Sequence, residues 1–305
     1  MMLAADIAPA VDIVGALAAA ATTRLGAAGI ETARLDAEVL LAQACGLDRT
    51  TLYAGWRRAV PGSCRARFDA LLTRRLAREP LQYIVGRQEF WSLDFAVSSA
   101  VLIPRPETEL LIELVLRVLA RTSGLLPDAR SLAKGPCSLR LCDVGTGSGC
   151  IAVALAHELA DATVWAFDLS AAALTVAASN VQRHHVAERV HLVHSDLFAA
   201  AGDLCFDAIV SNPPYIRSDA LGRLQPELAW EPTHALDGGA SGLDVIERLV
   251  TQSPPRLRPG GWLIMEIGAD QGDAVEQLAH AAGFRAVSIA PDYAGHPRAL
   301  VARKA

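Results

Sequence analysis

An α/β fold is predicted, a mainly parallel sheet wrapped by helices behind a small helical N-terminal region. Three observations predict it. From Leu139 onward, five short apolar runs (LRLCDV, TVWAFDL, VHLVHSD, FDAIVSN and WLIMEI) alternate with helical patterns such as SAAALTVAASNVQR. That rhythm signals parallel strands joined by crossover helices. Glycine-rich CDVGTGSGCIAVALA joins the first run to a helix, at the carboxyl edge where such sheets bind ligands. The first 80 residues carry helical periodicity instead.

Taken in order, ETARLDAEVLLAQACG places Leu35, Val39 and Ala42 on one helical face, with Gly46 as a C-terminal stop. In SCRARFDALLTRRLAREP, Phe68, Leu71, Leu72 and Leu76 recur at helical spacing and Pro80 follows the end. QYIVGRQEFWSLDFAVSSAVLIP alternates and is aromatic, which predicts a hairpin. PRPETELLIELVLRVLA sets prolines and acids ahead of an apolar helix, as helix starts prefer. TSGLLPDARSLAKGPC has no clear period and reads as a surface loop. At the far end, AVSIAPD and ALVARK have a connector too short for a parallel crossover, so this edge is predicted antiparallel.

Composition narrows the function. The 305 residues are 52% hydrophobic with a net charge of −5, a balance that disfavours stable nucleic-acid binding. Between Arg49 and Arg87, however, nine arginines face only Asp69 and Glu79. A solvated helical face accounts for this; a docking surface for an acidic partner is the sharper reading. The six cysteines show no C-x-x-C spacing and read as reduced core residues, neither disulfides nor a zinc site. Asp6 and Asp12, without early Lys or Arg, make the N-terminus a poor signal peptide. No apolar stretch reaches the roughly 18 residues of a membrane span. A cytoplasmic monomer with no membrane partner and no bound metal is expected.

The glycine loop carries the first chemistry. Gly145, Gly147 and Gly149 let the backbone turn sharply and approach a ligand at a helix N-terminus. The dinucleotide fingerprint requires a glycine where this chain has Cys150, so NAD is disfavoured. D-x-G-x-G-x-G is instead the pattern of methyltransferases that use S-adenosylmethionine, with Asp143 anchoring the loop or the cofactor's ammonium. Asp168 ends the second strand, where an acid can take both ribose hydroxyls. Asp196 ends the third and can accept from the adenine amino group, with Leu197 and Phe198 flanking the ring. Caps of the following helices would explain any one of these acids, but not the set.

NPPY, Asn212 to Tyr215, carries the second. Two prolines directly after a buried strand stop its pairing and hold the chain rigid. Methyl transfer from a sulfonium is an in-line displacement that needs the nucleophile about 3–3.5 Å from the methyl. The nitrogen of a planar amide or an aromatic amine is a poor nucleophile and gains positive charge as it is methylated. Acceptors aimed at its hydrogens therefore stabilise the transition state most. Asn212 offers a side-chain oxygen and Pro213 a carbonyl, while Tyr215 can stack on the flat group. A rigid turn is the bland alternative, and no general base is evident: His184, His185 and His191 read as surface or core residues.

Several stretches together resemble the peptide-chain release factor glutamine N5-methyltransferases (the PrmC/HemK family). They are QYIVGRQEF, VLIPRPETE, DVGTGSGCIA, SDLF, FDAIVSNPPYI, ELAWEPTHALDGG, EIGADQG and PDYAGHPR. The resemblance implies a helical docking domain over 1–80, a linking hairpin over 81–104 and a seven-stranded, Rossmann-like class I methyltransferase domain over 105–305. It implies transfer from S-adenosylmethionine to the glutamine of the GGQ loop of release factors. The loop residues Gly145, Thr146, Gly147, Ser148 and Gly149, with Asp168, Leu197 and Asn212, would contact the cofactor. Asn212, Pro213, Pro214 and Tyr215 would hold the glutamine. A ribosomal-protein glutamine, an adenine of DNA or RNA, and a non-catalytic cofactor-binding module are the alternatives. Arg105, Glu107, Glu231 and Asp237 are left without a role.

Overall fold

The computed structural model describes residues 13–123 and 139–305, the side chains of 121–123 excepted. Residues 1–12, Cys137 and all but the first two residues of the expected surface loop lie outside the described residues. The chain forms two compact units, the first ending at Gly86 and the second beginning at Arg87.

The first unit is helical: α1 (Val14–Ala27), α2 (Ala33–Cys45), α3 (Arg49–Ala54), α4 (Gly62–Leu76) and α5 (Leu81–Val85). Its core joins Leu17, Leu25, Leu40, Leu41, Phe68 and Leu72, so the α4 stripe packs as its spacing predicts. The α2 face does so only in part. Ala42 is buried, but Leu35 is exposed and Val39 half-buried, and the other buried positions are Ala33, Asp36, Ala37, Glu38, Leu40, Leu41 and Ala44. Two acids can lie on the inner face because each has cationic partners. Arg75 Nε sits 2.7 Å from Asp36, while Arg34 and Arg49 both reach Glu38. Buried charges are tolerated only when paired in this way.

The same contacts resolve the arginine run. Arg49, Arg65, Arg74 and Arg75 are ion-paired within the unit. Arg67 and Arg78 donate to backbone carbonyls of Ala44, Ala28 and Gly29. Most of this charge braces the helices.

A correction concerns residues 81–85. Read from sequence as the start of the hairpin segment, they form helix α5, which ends at Gly86 with φ +76°. The hairpin itself is β1 (Arg87–Phe90) and β2 (Leu93–Ala96). Its two turn residues, Trp91 and Ser92, both have positive φ, the backbone of tight hairpins usually given to Asn-Gly. Carboxylates hold the strained turn in place: Glu109 accepts from the Trp91 amide and Glu89 from that of Ser92.

The rest of the second unit comprises α6 (Glu109–Ser123), β3 (Arg140–Val144), α7 (Cys150–Glu158), β4 (Thr163–Asp168), α8 (Ala171–Arg183), β5 (Val190–His194) and β6 (Phe206–Ser211). Then follow α9 (Asp244–Gln252), β7 (Leu257–Glu266), α10 (Gly272–Ala281), β8 (Phe284–Pro291) and β9 (Pro297–Lys304). The seven-stranded sheet has the order β5-β4-β3-β6-β7-β9-β8. Its strands pair parallel from β5 to β7, and β9 runs antiparallel to both neighbours. Apolar clusters cover both faces, so the strands read as continuous apolar runs. After β5 the chain crosses back to the other side of β3. Such a switch opens a crevice beyond the strand ends, where ligands bind in sheets of this kind. No helix among the described residues is long and apolar enough to cross a membrane.

Candidate active site

Asp143 at the end of β3 is fully buried beneath the glycine loop. Its Oδ2 accepts from Thr146 Oγ1 at 2.6 Å and from the Ala152 amide at 3.2 Å. Oδ1 has no partner. Burial pushes this carboxyl up to about 7, against the two donated hydrogen bonds. The acid thus ties the loop to the first turn of α7.

The loop's glycines serve different purposes. Gly147 has φ +55°, and a Cβ there would meet nothing within 4 Å, so bare backbone fronts open space. Gly149 lies against α8, where a Cβ would come 3.2 Å from that of Ala177. One permits ligand approach, the other helix packing.

Asp168 ends β4 and is nearly buried. Its Oδ2 accepts from the Gly147 amide and its Oδ1 from Ser170, both at 2.8 Å. Each oxygen keeps a lone pair, since a carboxylate has about four acceptor sites. Asp196, beyond β5, is exposed, and its carboxylate pairs with Arg248 at 2.8 Å. Leu197 next to it holds φ +47°, an uncommon backbone for a branched residue.

At the end of β6, Ser211 donates to the carbonyl of Val144 and so locks the corner to β3. Asn212 Nδ2 donates to Thr108 Oγ1 at 3.0 Å. The Tyr215 hydroxyl reaches Glu266 at the end of β7, and burial raises its pKa. The segment Leu236–Gly242 braces the corner from outside. The amide of Ile216 donates to Leu236 and that of Gly238 to Ile216. At Gly242 a Cβ would fall 2.7 Å from the Tyr215 carbonyl. Gln271 bonds the Tyr215 and Gly242 carbonyls together.

The four residues left without a role divide. Glu231 is buried and ties two stretches, accepting from the Ile103 amide and from Arg105. Asp237 accepts from Ser218 and from the Gly239 amide, holding the bracing segment. Glu107 is exposed, and its charge raises the pKa of Glu266.

Asn180 on α8 has no exposure and went unnoticed in the sequence. Its Oδ1 accepts from the Ala96 amide at 2.7 Å, and Nδ2 donates to the carbonyls of Ala96 and Ser148. A single carboxamide joins hairpin strand β2 to the glycine loop. Asn180→Leu leaves these groups unpaired, an expected loss of about 2–4 kcal/mol. Urea denaturation checks this; a change under about 0.5 kcal/mol would show that the link carries no stability.

A cavity of about 180 Å³ opens over these strand ends, lined by Gly145, Thr146, Gly147, Ser148, Asp168, Asp196, Leu197, Asn212 and Pro214. Asp143, Gly149, Pro213 and Tyr215 are not part of that lining. Thr108, Arg105, His234 and Arg248 join it without having been singled out for it. Glu266 carried a faint signal in the sequence: it is an acid ending an apolar strand, as Asp168 is. S-adenosylmethionine fits these residues. Open glycine backbone, a carboxylate with free lone pairs and apolar flanks from Leu197 and Ile151 suit an amino acid, a ribose and a base.

Residues 16–86 match the PrmC N-terminal domain family, and residues 125–231 the methyltransferase small domain family. A release factor glutamine methyltransferase of Moorella thermoacetica is 46% identical, the match covering 92% of this chain and 95% of the relative. Proteins of the same name from Cereibacter sphaeroides and Geobacter sulfurreducens are 45% and 42% identical, over 93% and 90% of this chain and 96% and 91% of theirs. Among solved structures, the hMettl16 catalytic domain in complex with the MAT2A 3'UTR hairpin 6 superposes with a TM-score of 0.56. It is 17% identical over 77% of this chain and 81% of that one, a likeness of fold.

Proposed function

We propose, for a chain that belongs to the release factor glutamine methyltransferase family, that the corner at Asn212 holds the glutamine side chain to be methylated. The protein transfers a methyl group from S-adenosylmethionine to the side-chain amide nitrogen of a release factor glutamine. The observation that carries the site reading is that Asn212 lines the same cavity as the glycine loop and Asp168.

In this reading, Gly145–Gly149 and Asp168 bind the cofactor, with Leu197 against its base and Asp196 at the rim. S-adenosylmethionine supplies an electrophilic methyl carbon. Asn212 Oδ1 and the Pro213 carbonyl accept the two hydrogens of the glutamine amide. Charge developing on the nitrogen strengthens both bonds, so they favour the transition state over the bound substrate. One of the two hydrogens then leaves as a proton to water. Pro213 and Pro214 keep the acceptors from swinging with φ, and Tyr215 supports the plane of the amide. Asp143 holds the loop from beneath.

The helical unit docks the release factor. The protein acts as a cytoplasmic monomer without stable nucleic-acid binding; the negative net charge supports the last point. Incubation with methyl-labelled S-adenosylmethionine and a release factor, a ribosomal protein or DNA, followed by mass mapping, tests the reading. Label is expected on one release factor glutamine. Label confined to the ribosomal protein or to adenine would overturn it.

A further inference from the structure

β6 and β7 run parallel with Ser211 opposite Met265. Asn212 and Glu266 each stand one residue beyond that pair, so they leave the sheet at one level and on one face. Thr108, in the 3₁₀ turn Pro106–Thr108 ahead of α6, bridges them. Its hydroxyl lies 2.7 Å from Glu266 Oε2 and 3.0 Å from Asn212 Nδ2. Thr108 and Glu266 are both 2% exposed. Tyr215 donates to the other oxygen of Glu266 at 3.3 Å.

With Glu266 ionised, these groups allow one direction of donation. An ionised carboxylate only accepts, and a hydroxyl has a single proton. That proton goes to Glu266, so Thr108 turns a lone pair to Asn212. Only the NH₂ end of the carboxamide can meet a lone pair. Its oxygen must then face away from Thr108.

We propose that Thr108 and Glu266 are positioning residues that fix the orientation of the Asn212 carboxamide, presenting its oxygen to the substrate amide. The inference rests on the reading of Asn212 as acceptor for that amide. A carboxamide is nearly symmetric in shape, so packing alone discriminates poorly between its two orientations. Flipped, Asn212 would set a donor against the donor it has to receive.

The ionised state of Glu266 is what gives the chain its direction. Burial and the charge of Glu107 raise its pKa; the Arg298 charge and the bonds from Thr108 and Tyr215 oppose them. Protonated, Glu266 would donate to Thr108, whose own proton would then point at Asn212 and reverse the arrangement. Turnover should therefore fall on acidification, above the pH at which an exposed glutamate titrates.

The test measures kcat with a release factor, affinity for S-adenosylmethionine, and the pH profile in Thr108→Val, Thr108→Ser and Asn212→Ala. Thr108→Val keeps the shape without the hydroxyl; kcat should fall about 10- to 100-fold with cofactor affinity within about threefold. Its remaining activity should lack the acid limb. Thr108→Ser should recover most of the loss. Wild-type kcat in Thr108→Val, or no recovery in Thr108→Ser, overturns the inference. If Asn212→Ala loses turnover while Thr108→Val keeps it, only this inference falls; if Asn212→Ala keeps turnover, the acceptor reading falls with it.

Discussion

Asn212→Ala is expected to lower kcat by about 10²–10³ while cofactor affinity changes less than about tenfold. Losses of that size follow the removal of one preorganised group that meets developing charge. The cofactor depends mostly on other residues: loop backbone, the Asp168 carboxylate and the apolar wall beside Leu197 line the cavity independently of Asn212. The substitution also removes the donor to Thr108 but leaves the Ser211 bond to Val144, which anchors the corner. Tyr215→Ala should cost less, since its ring packs on the apolar cluster below and positions the substrate without meeting its charge. Single-turnover kinetics beside calorimetric titration of S-adenosylmethionine separate the two quantities. Unchanged turnover in Asn212→Ala would remove the acceptor argument.

The second large effect concerns stability. Buried Asp143 has its carboxyl raised from 3.8 to about 7, chiefly by burial, with the nearby Asp168 charge adding to it. Between those values the folded protein holds a proton that the unfolded chain has lost. Stability from this group is thus fully present below about pH 4 and declines as pH rises to about 7. At about 1.4 kcal/mol per unit, the decline amounts to as much as about 4 kcal/mol. Asp143→Asn should flatten it. Both donated bonds reach Oδ2, which an amide oxygen can replace, and the NH₂ takes the place of the oxygen without a partner. Urea unfolding of both proteins at pH 5 and pH 8 isolates the contribution of Asp143 and the charges coupled to it, because groups remote from it contribute to each alike. Equal slopes would mean that Asp143 titrates as an ordinary acid.

How far the sequence reaches depends on the span over which its signals act. Five parallel strands, the glycine loop and the antiparallel edge are written in runs of a few residues, and they appear where the pattern places them. Leu81–Val85 misleads because a run of five residues, four of them apolar or aromatic, cannot show a period, and Gly86 ends it equally well as strand or helix. The α2 face misleads because hydrophobicity alone sets Asp36 and Glu38 outside. Their pairing with Arg75 and Arg49, 39 and 11 residues away, lets them in.

The same limit runs through the site. Asp168 and Asn212 announce themselves at strand ends. Asn180 acts on Ala96, 84 residues distant; Thr108 meets Asn212 across 104 residues and Glu266 across 158. No local pattern encodes such partners. Only the strand order brings them together.

The internal pairing of the arginines bears on how a partner would be captured. Through Gly86 the chain has ten arginines and no lysine against eight acids, a surplus of only two positive charges. Neutralised pairs project little potential beyond a Debye length, about 8 Å in physiological salt. An acidic protein arriving from solution would feel almost no long-range pull. Recognition then depends on surface shape at close range, and encounter rates would respond weakly to ionic strength.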